Sequence, residues 1–162
     1  GEVGLAWYVE GGFAGVYTSP LRRARETAAI IAVLLRLPPP VCHDGLKERN
    51  FGVIQGIPKS ELAEQDPLLA CQILTRNPAA VFEQGESMDE CATRVLDGVR
   101  DIARQRPGGR VLAITHGWAM DVLTRAVRGL PRNAMLHHKP TNGESLWLEA
   151  TPLTLRPPPA AT

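Results

Sequence analysis

The sequence has only three cysteines, Cys42, Cys71 and Cys91, an odd number without metal-ligand spacing. That excludes a disulfide framework and leaves reduced, structural thiols of a cytoplasmic protein as the expectation. No apolar run approaches the length of a membrane span, and no stretch resembles a secretory signal. An excess of one charge is lacking too, since 18 Lys and Arg against 17 Asp and Glu leave a net +1. Without a basic patch or run, neither nucleic acid nor a membrane surface is expected as a partner. An initiator Met is missing before Gly1, so a fragment or a processed product is expected.

What is present is an ordinary globular chain of 162 residues, 44% hydrophobic and 22% charged. It is long enough for one domain with a real core. That domain is expected over residues 1–150. A proline-rich tail occupies 151–162, and its end from Arg156-Pro157-Pro158-Pro159 to Thr162 is expected to be disordered, without helix or strand.

Local patterns give the order of elements. Leu5, Ala6, Tyr8 and Val9 suit the end of a helix stopped by Gly11 and Gly12, and Phe13 to Thr18 reads as a strand. Ser19-Pro20 is a helix start, with Ser as N-cap and Pro at the first helical position. Ala24, Ala28, Ile31 and Leu35 then form one apolar stripe, and Pro38 to Pro40 stop the helix. A short extended piece over Val41 to Leu46 leads into the glycine-punctuated loop Lys47 to Gly56. Two short helices follow, Pro58 to Glu64 and Pro67 to Thr75. Ser87-Met88-Asp89-Glu90 is a capping box for a long helix that ends at Pro107-Gly108-Gly109. Val111 to Ile114 is a strand of the kind buried on both faces of a parallel sheet, followed at once by His116 and a helix from about Trp118 to Val127. Ser145 to Glu149 alternates as a final strand. Alternating strands and helices mean α/β with a mostly parallel sheet, although three confident strands are few for one.

Ligands of such sheets collect beyond the carboxyl ends of the strands. Arg23, Glu48, Arg49 and His116 are placed to meet there. Arginines with a histidine suit a phosphate or oxyanion, and a carboxylate beside them suits proton transfer to a leaving group. Arg22, Arg23 and Arg25 all lie near a helix N-terminus, where the macrodipole gives a cation no advantage. For Arg22 and Arg25 a solvated polar face explains the charge as well as function does.

Three blocks resemble the histidine phosphatase superfamily, the phosphoglycerate-mutase-like proteins: Tyr17 to Ala28, Leu46 to Gly56, and Val111 to Gly117. Gly85-Glu86-Ser87, Arg94-Val95 and Asn142-Gly143 to Leu148 are similar to further parts of it. The resemblance implies a three-layer phosphoglycerate-mutase-like fold. It implies that Arg23 binds the phosphoryl group, Glu48 gives a proton to the leaving oxygen, and His116, with Gly117 beside it, contacts the phosphoryl oxygens. Arg49 would lie at the substrate entrance, and neither metal nor cofactor would be needed. The substrate class would be a small phosphorylated metabolite.

One departure stands out. The family's nucleophile sits in an Arg-His-Gly at the end of its first strand, and no such tripeptide occurs among the 162 residues. An N-terminal truncation is the expected explanation, with a missing strand as its consequence. The expected function is a phosphomonoester hydrolase, inactive or impaired as given. A phosphoglycerate-mutase-type phosphotransferase and a non-catalytic phosphate-ester-binding pseudoenzyme are the alternatives, and a homo-oligomer could cover the exposed face.

Overall fold

The structure is a computed structural model that describes residues 12–137 and 142–158. The helix end expected over Leu5 to Val9 lies outside these residues, as does His138. Three strands make one parallel sheet: β1 (Gly15–Thr18), β2 (Val41–Cys42) and β3 (Val111–Ile114), in the order β2-β1-β3. Tyr17 lies beside Val41 on one side and Ala113 on the other.

Helices cover both faces of this sheet. On one face α1 (Arg22–Leu34) inserts Ala28, Ile31 and Ala32 against Val16 and Leu112. On the other, α4 (Met88–Gln105) brings Ile102 against Tyr17 and Leu46. The period-two alternation of the strands thus splits Val16 from Tyr17 between two cores. Between these layers in sequence come α2 (Lys59–Gln65) and α3 (Pro67–Leu74), which form a small cluster of their own with Ala80 and Phe82. The final helix, α5 (Gly117–Val127), packs Ala119, Val122 and Leu123 on Cys91, Ala92 and Val95 of α4. Gly129, at φ 67°, turns the chain after α5, in the left-handed region that glycine enters without steric strain.

Several expectations hold and four need correction. The capping box is present in both directions, Ser87 Oγ accepting from the Glu90 N–H and Glu90 accepting from the Ser87 N–H. Helix α1, however, starts at Arg22 with Leu21 as its cap residue, so Ser19 is not the N-cap. The hydroxyl of Ser19 is instead drawn across the sheet to His116, as described below. Strand β3 is not buried on both faces: Leu112 is buried, Val111 and Ile114 are half-buried, and Ala113 is exposed. Its outer edge has no strand neighbour among the described residues. The final strand is also not where alternation put it. Leu146 and Leu148 pack against the α4–α5 core without pairing, and β4 is only Glu149–Ala150.

The fourth correction concerns the tail. Leu155–Arg156 forms β5, antiparallel to β4, so the chain continues as structure beyond residue 150. Thr151 closes the turn, its hydroxyl accepting from the Leu153 and Thr154 N–H groups at 3.2 and 2.9 Å. Leu155 packs against the α4–α5 core and Arg156 pairs with Glu149 at 2.6 Å. Three prolines forbid a helix, but they begin only at Pro157, after the residues that pair.

The cysteines are free thiols, Cys42 and Cys71 exposed and Cys91 buried. Burial pushes the Cys91 thiol up to about 11, the opposite of a reactive cysteine. No helix among the described residues is long and apolar enough to cross a membrane.

Candidate active site

The chemistry-bearing residues collect at the carboxyl ends of β1 and β3. His116 caps β3 and precedes α5; it is only 7% exposed. Its Nε2 lies 2.8 Å from the hydroxyl of Ser19, which follows β1 directly and is completely buried. The pairing ties the ends of two adjacent strands together. Burial pushes the His116 imidazole below its ordinary value; the Glu48 carboxylate opposes that shift, while the Arg23 and Arg94 charges add to it.

Glu48 reaches the same place from the central loop. Its Oε1 accepts from the Trp118 N–H at 3.1 Å and from its own neighbour's N–H, Arg49, at 3.0 Å. His116 makes no side-chain cap for α5, so Glu48 supplies the anion that the first turn of that helix favours. The other carboxylate oxygen makes no hydrogen bond within the described residues. Nor is Gly117 fixed by packing. A Cβ built there meets nothing within 4 Å, so there is open space beside Gly117.

Arg23, Glu48, Thr115, His116 and Gly117 line one groove of about 1680 Å³. The groove continues along the outer edge of β3, between Ile30 and Ile31 of α1 and the Leu146–Leu148 segment. Arg22 instead pairs with Glu26 in solvent at 2.8 Å, which is the polar-face reading anticipated for it. Arg49 does not lie at an open entrance. It is 6% exposed, with its guanidinium carbon 4.8, 5.1 and 4.7 Å from the ring centres of Phe51, Phe82 and Trp118. Its Nε is buried without a hydrogen-bond partner among the described residues, and desolvation pulls its pKa down. Three ring faces compensate part of that loss. Arg49 therefore forms the wall behind Glu48 and Trp118.

Two participants were not legible as such. Ser19 looks like a helix cap in sequence, and only the strand pairing brings it to His116. Arg94 sits mid-helix, far from any loop motif, yet contacts the segment that carries Glu48. His43, in contrast, is structural: Nδ1 accepts from the Gly45 N–H at 3.0 Å and Nε2 pairs with Asp101 at 2.8 Å. Among the described residues, no group of three or more His, Cys, Asp or Glu could hold a metal ion.

The family model of the histidine phosphatase superfamily (branch 1) matches residues 5–155. The chain belongs to this superfamily. It is 37% identical over 103 residues to the metal-independent phosphoserine phosphatase of Arabidopsis thaliana, covering 63% of this chain and 43% of the relative. To an uncharacterized phosphatase of Bacillus subtilis it is 32% identical over 114 residues, covering 70% and 53%. The chain thus spans about half the length of these curated relatives. In three dimensions it is similar to the α-ribazole phosphatase of Shigella flexneri, with a TM-score of 0.72 at 21% identity over 88% of this chain and 71% of that one. At that identity the likeness shows the fold, which is the α/β phosphoglycerate-mutase-like one.

Proposed function

We propose that the groove is the phosphate-binding side of a phosphomonoester hydrolase site that takes a small phosphorylated metabolite. The observation that supports this best is that Arg23, Glu48 and His116 line one groove at the N-terminus of α5. Each contributes what a phosphate ester requires. Arg23 matches phosphate geometry with a planar pair of donors, and the first turn of α5 adds backbone N–H groups. His116 is placed to hydrogen-bond a phosphoryl oxygen and to stabilise charge as it develops. Glu48 is placed to deliver a proton to the departing alkoxide through its free oxygen. No metal is needed for these roles.

The name of the Arabidopsis relative as a metal-independent phosphatase supports hydrolysis over transfer, as does the short Ile57 to Gly85 segment, which leaves little room for an elaborated second-substrate site. A non-catalytic phosphate-ester-binding role is the second reading. It is favoured by a specific feature: His116 is the sole histidine lining the groove among the described residues, and no Arg-His-Gly stands elsewhere in the sequence.

Binding of phosphate or orthovanadate and turnover of p-nitrophenyl phosphate separate the readings. Orthovanadate binding weakened at least about tenfold by Arg23→Ala or His116→Ala is expected, the loss of a charge-assisted hydrogen bond. Turnover that is lost in His116→Ala supports the hydrolase reading, and anion binding without turnover supports the binding role. Failure of the wild-type chain to bind either anion would sink both readings. A phosphohistidine found at His116 would make that residue the nucleophile and overturn its assisting role.

A further inference from the structure

We propose that Arg94 is the positioning residue for Glu48, the proton donor in the function proposed above, and that it acts through the backbone of residues 44–48. The inference rests on that functional reading for the role of Glu48, but not for the geometry.

Arg94 lies in the middle of α4, and every nitrogen of its guanidinium is engaged. Nε and one terminal nitrogen form a fork on the two carboxylate oxygens of Glu86, both at 3.0 Å. The other terminal nitrogen donates to the carbonyls of Gly45 at 3.0 Å, Lys47 at 3.1 Å and Asp44 at 3.3 Å. The fork nitrogen also reaches the Glu48 carbonyl at 3.3 Å. The one carbonyl of this stretch that Arg94 does not hold, Leu46, accepts from the Thr115 hydroxyl at 2.7 Å. Two side chains therefore hold five successive carbonyls, and Thr115 is the residue before His116.

Only a single 3-10 turn, Asp44–Leu46, orders this stretch from within, the Asp44 carbonyl accepting from the Lys47 N–H at 3.2 Å, and the remaining carbonyls would ordinarily turn to water. Here a single planar cation gathers four of the five, and its ion pair keeps that cation in place. Glu86 donates its own N–H to the Asn50 carbonyl at 2.7 Å, so the same pair also fixes the loop beyond Glu48. With its backbone held from both sides, the Glu48 carboxylate is left one short reach from the Trp118 N–H. Arg94 does not line the groove and touches no reacting atom. Its effect is on where Glu48 stands. A lysine would keep the charge and lose the fork, because a point charge cannot serve a carboxylate and four carbonyls together.

The test is amide hydrogen exchange, read by NMR at the Trp118 and Arg49 N–H groups, in the full chain. Arg94→Gln and Arg94→Lys are expected to speed exchange at both amides by about tenfold or more, as Glu48→Ala does, because the charged acceptor is no longer held beneath them. The Met120 amide, bonded to the His116 carbonyl at 2.9 Å, is expected to keep its rate. Orthovanadate affinity is expected to change less than about threefold, since Arg23 and His116 stay in place, a difference well under one hydrogen bond. Unchanged exchange at Trp118 and Arg49 in a folded Arg94 variant overturns the proposal, and so does acceleration spread evenly through α5. If the Gln variant does not fold, the Lys variant carries the same measurement. A wild-type chain that binds no vanadate defeats the functional reading alone, because the exchange arm needs no ligand.

Discussion

At the scale of single residues, His116 ties together stability and binding. Burial holds its imidazole below the ordinary value of 6.5 in the folded chain. As pH falls, the unfolded chain therefore takes up this proton first, and stability is lost from about pH 6.5 downward to the folded value. Above that window the histidine is neutral in both states and contributes no slope. Melting temperatures measured from pH 7 to pH 5 are expected to fall in the wild type and to fall less in His116→Gln, whatever the absolute stability of that variant. An equal slope in both would show that other groups carry the effect. His116 and Glu48 were legible because each sits in a local pattern, a buried apolar run or a glycine-rich loop. The role of Arg94 was not, because the carbonyls it holds lie on residues 44–48, 46 to 50 positions away in the chain, and no spacing rule connects them.

At the scale of elements, α4 comes into backbone contact with the turn over residues 44–46. A Cβ on Gly98 would come within 2.8 Å of the Gly45 Cα, and one on Gly45 within 2.7 Å of the Gly98 Cα. Glycine in the middle of a helix sacrifices about 1 kcal/mol of propensity relative to alanine. The clash is with backbone rather than with the end of a flexible side chain, and overpacking of that sort costs about 1–3 kcal/mol. Gly98→Ala is expected to lose overall, lowering the melting temperature by about 3 °C for each kcal/mol. A variant that melts at or above the wild type would show that the turn can move aside. Helices were the most legible elements, because caps and apolar stripes are local. Short strands were the least: β2, β4 and β5 are pairs of residues whose extent depends on what they pair with.

At the scale of the whole molecule, the dominant feature is the groove along the outer edge of β3. Apolar residues line it: Ile30 is exposed, Ile114, Leu146 and Leu148 are half-buried, and Ile31 and Leu112 form its buried floor. An apolar groove open to solvent binds hydrophobic dyes. The native chain is expected to enhance the fluorescence of anilinonaphthalene sulfonate at neutral pH without denaturant, and to lose the enhancement when self-association covers the groove. No enhancement in a monomer would show that the groove is closed. A shortage of strands was visible in the sequence, but which strand would stand outermost was not. The sequence by itself determined the α/β class, the long helices and the Ser87 capping box, and it singled out Arg23, Glu48 and His116 as candidates, because each is written in neighbouring residues. Only the tertiary structure decided that Ser19 serves His116, that Arg49 is walled in by three rings, that Arg94 holds the Glu48 loop, and that β3 is the outermost strand among the described residues. Those outcomes are contacts between residues far apart in the chain, and such contacts exist only once the sheet and its two helix layers have formed.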